Sequence, residues 1–239
     1  MTPDQQDPAP DQQGPAASTT GSKTIDTGLR LLEILKDHPD GLTITELAQL
    51  ARIHRNAVSR HLTALGNHRL TARVGTRFTL GLGIVELNAA VQHRLRSAAS
   101  AALQVLADAC NATAFITVLD IDESQAVVLT VTEPRVSQIH VSYRAGTRHP
   151  ANRGASGIAI LAGRPPLPGE RSEITQARAT GYSVTAGELQ PGAWGIAAPI
   201  VAAGRPADAS VGVVTIGTRD ENEIAPRVRL AATEIARLL

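Results

Sequence analysis

The sequence predicts an α+β protein, in which an N-terminal helical segment is followed by a domain of mixed helices and strands. Apolar residues recur at helical spacing over about residues 25–67, and a hairpin pattern follows at 70–80. Helical and strand-like runs then alternate to the end of the chain. The strand-like runs lie at 113–119, 126–132, 137–143, 181–186, 195–202 and 210–217. The 239 residues are enough for one or two domains with a sizeable core.

Three helices and a hairpin are predicted between residues 23 and 81. The first helix ends before Pro39, and Thr43 with Glu46 matches a capping box at the start of the second. The third helix spans about 54–67, and the hairpin turns at Gly75. The predicted buried stripe of the third helix is Val58, Leu62 and Leu65. This order is typical of a winged helix-turn-helix, whose third helix enters the major groove of DNA.

The outward face of the third helix is polar. Arginine can bind guanine through two hydrogen bonds, and asparagine can bind adenine in the same way. Arginines beside the hairpin turn can reach phosphates or the minor groove. The candidate DNA-contacting residues are Thr43, Arg55, Asn56, Ser59, Arg60, Thr63, Arg73 and Arg77. The alternative is a solvated polar face on an ordinary three-helix bundle.

Charge is unevenly distributed along the chain. Residues 23–96 contain 11 Lys and Arg against 6 Asp and Glu, whereas residues 97–239 contain 12 against 13. Residues 1–22 contain three aspartates, four prolines and no Lys or Arg, which predicts a disordered acidic tail. The net charge of +1 therefore conceals a basic helix-turn-helix segment. That concentration of positive charge favours DNA binding over a merely solvated face.

Composition excludes several other classes of protein. Aromatic residues make up only 2% of the chain, which argues against a sheet that stacks nucleobases. The single cysteine, Cys110, excludes an internal disulfide and a cysteine-rich zinc site. Asp120, Asp122 and Glu123 are interpreted as a hairpin turn rather than a metal site. No signal peptide and no membrane-spanning run are visible, so we expect a cytoplasmic protein without metal or cofactor.

An ordered series of short motifs resembles the IclR-type bacterial transcriptional regulators over about residues 22–239. The series comprises Leu31-Leu-Glu-Ile-Leu35, Leu42-Thr-Ile-Thr-Glu-Leu-Ala48, Val58-Ser-Arg60, Phe78-Thr-Leu-Gly81, Gly154-Ala-Ser-Gly157, Gly181-Tyr182 and Ile196-Ala-Ala-Pro199. Four features depart from the family pattern. Arg52 stands at a turn position that usually carries glycine, and His61 stands at a usually apolar position of the third helix. Ile158 replaces the usual lysine, and the connection from Leu161 to Gly181 is unusually short.

The resemblance implies a domain order and a function. A tail at 1–22, a winged helix-turn-helix at 23–81 and a linker helix at 82–96 would precede a GAF-like effector-binding α/β domain at 97–239. We interpret residues 82–110 as one long helical stretch that bends near Ser97. The resemblance further implies a repressor that binds an operator in double-stranded DNA as a homodimer or a dimer of dimers, under the control of a small-molecule effector. The alternative is a constitutive DNA-binding protein whose C-terminal domain serves only oligomerisation.

The resemblance also implies which residues line the effector pocket. By position these are Ala155, Ser156, Ala193, Gly195, Thr215 and Gly217. Glu188 is either a pocket acceptor or a turn residue. Backbone N–H groups at the helix that begins near Gly154 can hold a carboxylate, so the effector is expected to be a small organic molecule, possibly a carboxylate. The aromatic residues nearest to these positions in sequence are Trp194 and Tyr182.

An enzyme is the rival class for the C-terminal domain. The segment Gly154-Ala-Ser156-Gly-Ile158 is one residue away from a nucleophile elbow, which needs glycine where Ile158 stands. The sequence also contains no phosphate-binding loop and no dinucleotide fingerprint. We therefore expect no catalytic residues.

Overall fold

The computed structural model describes residues 21–136 and 143–239, which fall into two compact units. One unit ends at Val91 and the other begins at Gln92. The predicted tail lies outside the described residues except for Gly21 and Ser22, and the predicted strand at 137–143 does so except for Tyr143. Within the described ranges, no helix has the length and apolar character needed to cross a membrane.

Three helices surround one apolar core in the first unit: α1 (Lys23–Lys36), α2 (Ile44–Ala51) and α3 (Arg55–Asn67). The largest buried side chains of this core are Leu31, Leu35, Leu42, Leu47, Val58 and Leu62. The predicted stripe on α3 is confirmed, since Val58 and Leu62 are buried and Leu65 is partly buried against them. The amphipathic spacing in the sequence therefore produces the helix-turn-helix directly.

The turn between α2 and α3 keeps its tight geometry even though it contains Arg52. This residue adopts the left-handed conformation with φ 53° and ψ 45°, and its N–H donates to the carbonyl oxygens of α2. An L-residue pays a steric cost there that glycine avoids. The departure from the family pattern thus changes the strain in the turn and leaves its shape intact.

The wing is a two-stranded antiparallel hairpin of β1 (Thr71–Val74) and β2 (Arg77–Leu80). It is attached to the helices by a third short segment, because Leu42 and Phe78 exchange backbone hydrogen bonds of 2.9 and 2.7 Å. The hairpin predicted from the sequence is confirmed. This attachment fixes where the wing stands relative to α2 and α3.

The single long helix predicted at 82–110 is wrong, and so is an unbroken linker helix at 82–96. The structure has α4 (Gly83–Ala90) and α5 (His93–Cys110). Val91 is extended and Gln92 is left-handed, with φ 50°, so the helical hydrogen-bond ladder stops between them. Neither glycine nor proline marks this break, which explains why the helical pattern in the sequence runs through it.

In the described residues of the second unit, an antiparallel sheet has six strands in the order β5-β4-β3-β8-β7-β6. Its strands are β3 (Thr113–Leu119), β4 (Gln125–Thr132), β5 (Arg148–Pro150), β6 (Ser183–Ala186), β7 (Ala193–Ile200) and β8 (Ala209–Ile216). The sequence indicated five of them, but β5 has only three residues and went unrecognised. The predicted α+β class is confirmed.

Helices cover both faces of this sheet. On one face, α5 and α8 (Glu221–Arg237) pack against alternate strand residues and form the largest core of the unit. On the other face lie α6 (Gly154–Ala162) and α7 (Ser172–Thr180). The short connection between α6 and α7 still seats one against the other, through Ile158, Ala162, Ile174 and Ala177. The face that carries α6 also holds the cavity described below.

Candidate functional site

The candidate DNA-contacting side chains of α3 are all exposed: Arg55, Asn56, Ser59, Arg60 and Thr63. Within the described residues, the side chains of Arg55, Asn56 and Arg60 make no hydrogen bond or ion pair. Thr63 donates its hydroxyl to the Ser59 carbonyl oxygen at 3.0 Å. The buried stripe of α3 holds the helix from below, so its outer face has two arginines and an asparagine available for a partner.

Two other candidates from the sequence are engaged within the unit. The Thr43 hydroxyl accepts from the Glu46 N–H at 3.3 Å and donates to the Glu46 carboxylate at 2.9 Å. Arg77 donates to the Gly41 carbonyl oxygen at 2.8 Å and lies 3.4 Å from the same carboxylate. Hydrogen bonds from Thr43, assisted by the charge of Arg77, lower the pKa of Glu46. Both residues therefore help to hold the wing and the start of α2 in place.

Arg73 is the exposed arginine of the wing. Its Nε donates to the Gly75 carbonyl oxygen at 2.8 Å, and its guanidinium lies 5.8 Å from the centre of the Phe78 ring. The turn, rather than an acidic side chain, therefore sets the direction of the two terminal guanidinium nitrogens. Arg73 is thus oriented at the tip of the wing, where a phosphate contact would be made.

A cavity of the second unit lies beside the start of α6 and has a volume of about 250 Å³. It is lined by Phe115, Tyr143, Thr147, Arg148, His149, Ala155, Ser156, Thr185, Glu188, Leu189, Gln190, Ala193, Gly195 and Val214. Among the pocket positions carried over from the family, Ala155, Ser156, Glu188, Ala193 and Gly195 are part of this lining. The sequence positions around the start of α6 and of β7 do meet in space.

Two of the predicted pocket residues, Thr215 and Gly217, are not part of this lining. In β8, Val214 pairs with Gly195 and lines the cavity, whereas Thr215 pairs with the buried Trp194. Successive residues of a strand point to opposite faces, so a shift of one position moves a side chain through the sheet. Gly217 lies beyond the end of β8 at Ile216. The lining residue of this strand is Val214.

The aromatic wall of the cavity also differs from the expectation. Trp194 is buried in the core under α5 and α8, and Tyr182 packs against the same core. The cavity is lined instead by Phe115 and Tyr143, whose rings meet edge to face with centres 5.1 Å apart and an angle of 70°. Two of the five aromatic residues in the chain therefore line this cavity. An edge-to-face pair of this kind can pack against a further flat ring.

The start of α6 is already occupied by groups of the protein itself. The Gly154 N–H donates to the Glu188 carboxylate at 3.0 Å, and the Ala155 N–H donates to the Thr185 hydroxyl at 3.1 Å. The sequence assigned the N–H groups at the start of this helix to a ligand carboxylate. The internal carboxylate of Glu188 and the Thr185 hydroxyl engage two of those groups, so these two are not free for a ligand.

Glu188 is fixed by more than this one bond. Its carboxylate accepts from Arg171 Nη1 at 2.5 Å, and its backbone carbonyl oxygen accepts from Arg153 at 3.0 Å. Hydrogen bonds to Glu173 and Glu188 raise the pKa of Arg171, so this residue keeps its charge. Glu188 lines the cavity and also fastens its own loop to α6, and its role as an acceptor for an effector stays a prediction.

His149 and Ser156 form a hydrogen-bonded pair in the cavity wall. His149 Nδ1 lies 3.0 Å from the Pro150 carbonyl oxygen, which can only accept, so Nδ1 carries the proton. Nε2 then accepts from the Ser156 hydroxyl at 3.1 Å. Burial lowers the pKa of His149 and raises the pKa of Tyr143, against the opposing effect of the Ser156 hydroxyl. All three side chains are uncharged at neutral pH.

Two glycines shape this end of the cavity. Gly154 has φ +72°, and a side chain there would collide with Leu189 at 2.4 Å. At Gly157, an added Cβ would stand 2.3 Å from the Ala151 carbonyl oxygen. Both glycines are therefore required by the packing of α6 against neighbouring protein atoms.

Sequence reasoning missed several of the lining residues. Phe115 was recoverable, because Ala114 and Ile116 belong to the core under α5 and α8, which places 115 on the other face of β3. His149 and Arg148 lie on the three-residue strand β5, which has no recognisable pattern in the sequence. Thr185 lies on β6, and nothing in its local sequence marks it as the acceptor of the Ala155 N–H.

Comparison with known proteins supports this arrangement of a helix-turn-helix and a cavity-bearing domain. The IclR helix-turn-helix domain family matches residues 24–75. An HTH-type transcriptional regulator of Mycobacterium tuberculosis is 30% identical over 138 residues, which cover 57% of this chain and 52% of that protein. The match therefore spans about half the length of that relative.

Solved structures with the same fold extend over nearly the whole chain. An IclR homologue from Microbacterium hydrocarbonoxydans, solved with 4-hydroxybenzoate, has a TM-score of 0.77 at 20% identity and covers 91% of this chain and 99% of its own. An IclR-type regulator from Alicyclobacillus acidocaldarius has a TM-score of 0.76 at 20% identity, with the same coverage of 91% and 99%. A regulator from Rhodococcus has a TM-score of 0.74 at 23% identity and covers 92% and 98%.

These findings identify a helix-turn-helix domain in this chain, and the proteins that it matches are named as transcriptional regulators. Residues 24–75 are an IclR helix-turn-helix domain, and the chain has the fold of the IclR-type transcriptional regulators. The resemblance drawn from the sequence motifs is confirmed.

Proposed function

We propose that this protein is a sequence-specific repressor of transcription, and that a small organic effector bound in the cavity beside α6 controls its affinity for operator DNA. The observation that carries the DNA-binding part is the outer face of α3, where Arg55, Asn56 and Arg60 are exposed and unpaired within the described residues. Such side chains read base edges in the major groove. A repressor needs no more than this, because a protein bound at an operator excludes polymerase.

The proposed domain organisation follows from the same surfaces. We assign DNA binding to residues 23–81 and effector binding to residues 97–239, and we place the protein in the cytoplasm with its operator. The side chains that contact DNA are the α3 set with Arg73, while Thr43 and Arg77 act by holding α2 and the wing in place. This division is testable residue by residue.

The protein is proposed to bind DNA as a homodimer or a dimer of dimers. Exposed apolar side chains of the first unit favour this, since Ile25 and Leu29 of α1 and Val85 and Leu87 of α4 are each more than half exposed. Large exposed apolar side chains on neighbouring turns mark surfaces that associate. A two-fold dimer would place two copies of α3 on half-sites one or two helical turns apart. Sedimentation velocity at micromolar concentration measures the oligomer directly.

The effector part is supported by the cavity itself. A domain kept only for oligomerisation has no need of a cavity with an aromatic pair, three Ser or Thr hydroxyls and a buried histidine in its lining. The relative solved with 4-hydroxybenzoate shows that this fold can accommodate a compound with one ring. The effector would act by binding the two DNA-affinity states of the protein with different affinities.

A mobility-shift titration tests the proposal. The probe is the DNA upstream of the protein's own coding sequence, and a scrambled duplex of equal length is the control. We expect selective binding that weakens steeply with salt. Equal affinity for both duplexes would remove the DNA-reading role, and selective binding that no small molecule alters would favour the constitutive alternative.

A further inference from the structure

We propose that the cavity beside α6 binds an uncharged single-ring molecule with a hydroxyl or amide group, and discriminates against a carboxylate of the same shape. This inference rests on the proposed function and specifies its ligand class. It comes from the charges of the cavity wall, from the occupied start of α6 and from the hydrogen-bonding capacity that remains.

The first observation is that the wall offers no unpaired positive charge. Among the described residues that line the cavity, Arg148 is the one arginine or lysine, and it forms an ion pair with Asp120. His149 is buried, with both ring nitrogens engaged by Pro150 and Ser156. Residues 137–142 contain no Lys or Arg, so they supply no permanent positive charge wherever they lie. A ligand carboxylate buried here would lack a counter-charge, which is strongly disfavoured.

The second observation is that the start of α6 is occupied. Glu188 and Thr185 accept the N–H groups of Gly154 and Ala155, so these donors are not free for a ligand. Glu188 also brings a negative charge into the wall, and its Arg171 partner is held at 2.5 Å. A second carboxylate beside Glu188 would be repelled. Two of the N–H groups at the start of α6 are thus engaged by the chain itself, and a negative charge already stands beside them.

The third observation is that the wall retains neutral hydrogen-bonding capacity. Ser156 donates to His149, so its oxygen can still accept, and Thr185 accepts from Ala155, so its proton can still be donated. The Glu188 carboxylate can accept from a ligand O–H or N–H. Phe115 and Tyr143 provide an aromatic surface at 5.1 Å from each other. The volume of about 250 Å³ lies below the usual range for drug-sized ligands, which limits the ligand to about one ring.

Matched pairs of acid and amide test the inference on the full-length protein. The pairs are benzoate with benzamide, 4-hydroxybenzoate with 4-hydroxybenzamide, and phenylacetate with phenylacetamide, all measured by isothermal titration calorimetry at neutral pH. Each pair keeps the shape and changes the charge. In the pair that binds, we expect the amide to have a Kd lower by about tenfold or more.

Two variants separate charge from fold. Glu188→Gln keeps the length of the side chain and an acceptor for the Gly154 N–H, while it removes the negative charge and frees Arg171. We expect the affinity for the acid to rise by about tenfold, so that the Kd values of the acid and the amide become more similar. Glu173→Gln is the matched control, because Glu173 pairs with the same Arg171 at 2.8 Å but does not line the cavity. The control should leave the ratio of the Kd values of the acid and the amide unchanged.

The outcomes distinguish this inference from the proposed function. If an acid binds as tightly as its amide or more tightly, the ligand class is wrong and effector control stands. If no member of any pair binds, the inference is overturned, and the operator mobility shift measured without ligand decides separately whether the DNA-binding role survives. If Glu188→Gln and Glu173→Gln change acid affinity equally, the charge of Glu188 is not the cause.

Discussion

The outer face of α3 and the start of α6 are both polar surfaces on helices, but they differ in whether their polar groups are bonded within the protein. On α3, Arg55 and Arg60 are exposed and unpaired within the described residues. At α6, the N–H groups of Gly154 and Ala155 are bonded to Glu188 and Thr185. On the function and ligand class proposed above, the unpaired arginines of α3 suit a charged partner, whereas the internally bonded start of α6 suits a partner of low charge.

The largest expected effect is on the α3 face. Arg60→Ala should lower operator affinity by about 1–3 kcal/mol, or roughly 5- to 150-fold, while affinity for a scrambled duplex changes much less. The reason is that a bidentate contact to a base edge is lost together with its sequence information. Fluorescence anisotropy with the two duplexes measures this difference. Arg30→Ala, an exposed arginine on α1, is the control and should affect both duplexes equally and slightly.

An equal loss of affinity for both duplexes would contradict a base-reading role for Arg60. In that event Arg60 contacts phosphate only, and the sequence would have to be read by Asn56, Arg55 or the wing. The same measurement on Arg55→Ala and Asn56→Ala then locates the base-reading residue.

The next effect concerns the start of α6. Glu188→Ala should destabilise the second unit by about 1–3 kcal/mol, because the Gly154 N–H and the Arg171 guanidinium lose a partly buried partner. Glu173→Ala removes a more exposed partner of the same arginine and should lower the stability clearly less. Urea unfolding followed by the fluorescence of Trp194, the single tryptophan, reports on this unit. Equal losses in the two variants would show that Glu188 is no more than a surface ion-pair partner.

A smaller effect is expected at the wing. Arg73→Ala should weaken binding to operator and scrambled DNA alike, and should reduce the slope of log affinity against log salt by about one. Arg73 is exposed and oriented by Gly75, so it is suited to a phosphate contact. If Arg73→Ala instead alters the preferred base sequence, the wing reads bases. Arg77→Ala provides the contrast, since loss of its bond to the Gly41 carbonyl oxygen should loosen the wing and lower the melting temperature as well.

How well the sequence predicted these two surfaces depends on how local their determinants are. The α3 face follows from i, i+4, i+7 spacing within one helix, so Val58 and Leu62 fix which residues face outward. The cavity combines residues from β3, β5, α6, β6, β7 and β8, and a single error of strand parity exchanged Val214 for Thr215. The occupied start of α6 was unpredictable, because Glu188 lies 34 residues away along the chain. Long-range hydrogen bonds of this kind leave no periodic signal.

The smallest expected effect returns to the turn that presents α3. Arg52 caps α2 in the left-handed conformation, where glycine is free of the steric cost that arginine pays. Arg52→Gly should therefore stabilise the first unit by about 0.5–1 kcal/mol, measured as a shift in thermal unfolding. Asn111 caps α5 in the same conformation with φ 46°, and asparagine tolerates it well, so Asn111→Gly should change stability little. A loss of stability in Arg52→Gly would mean that the arginine side chain stabilises the turn by more than its backbone strain destabilises it. The position of the α3 face would then depend on a charged residue in the preceding turn as well.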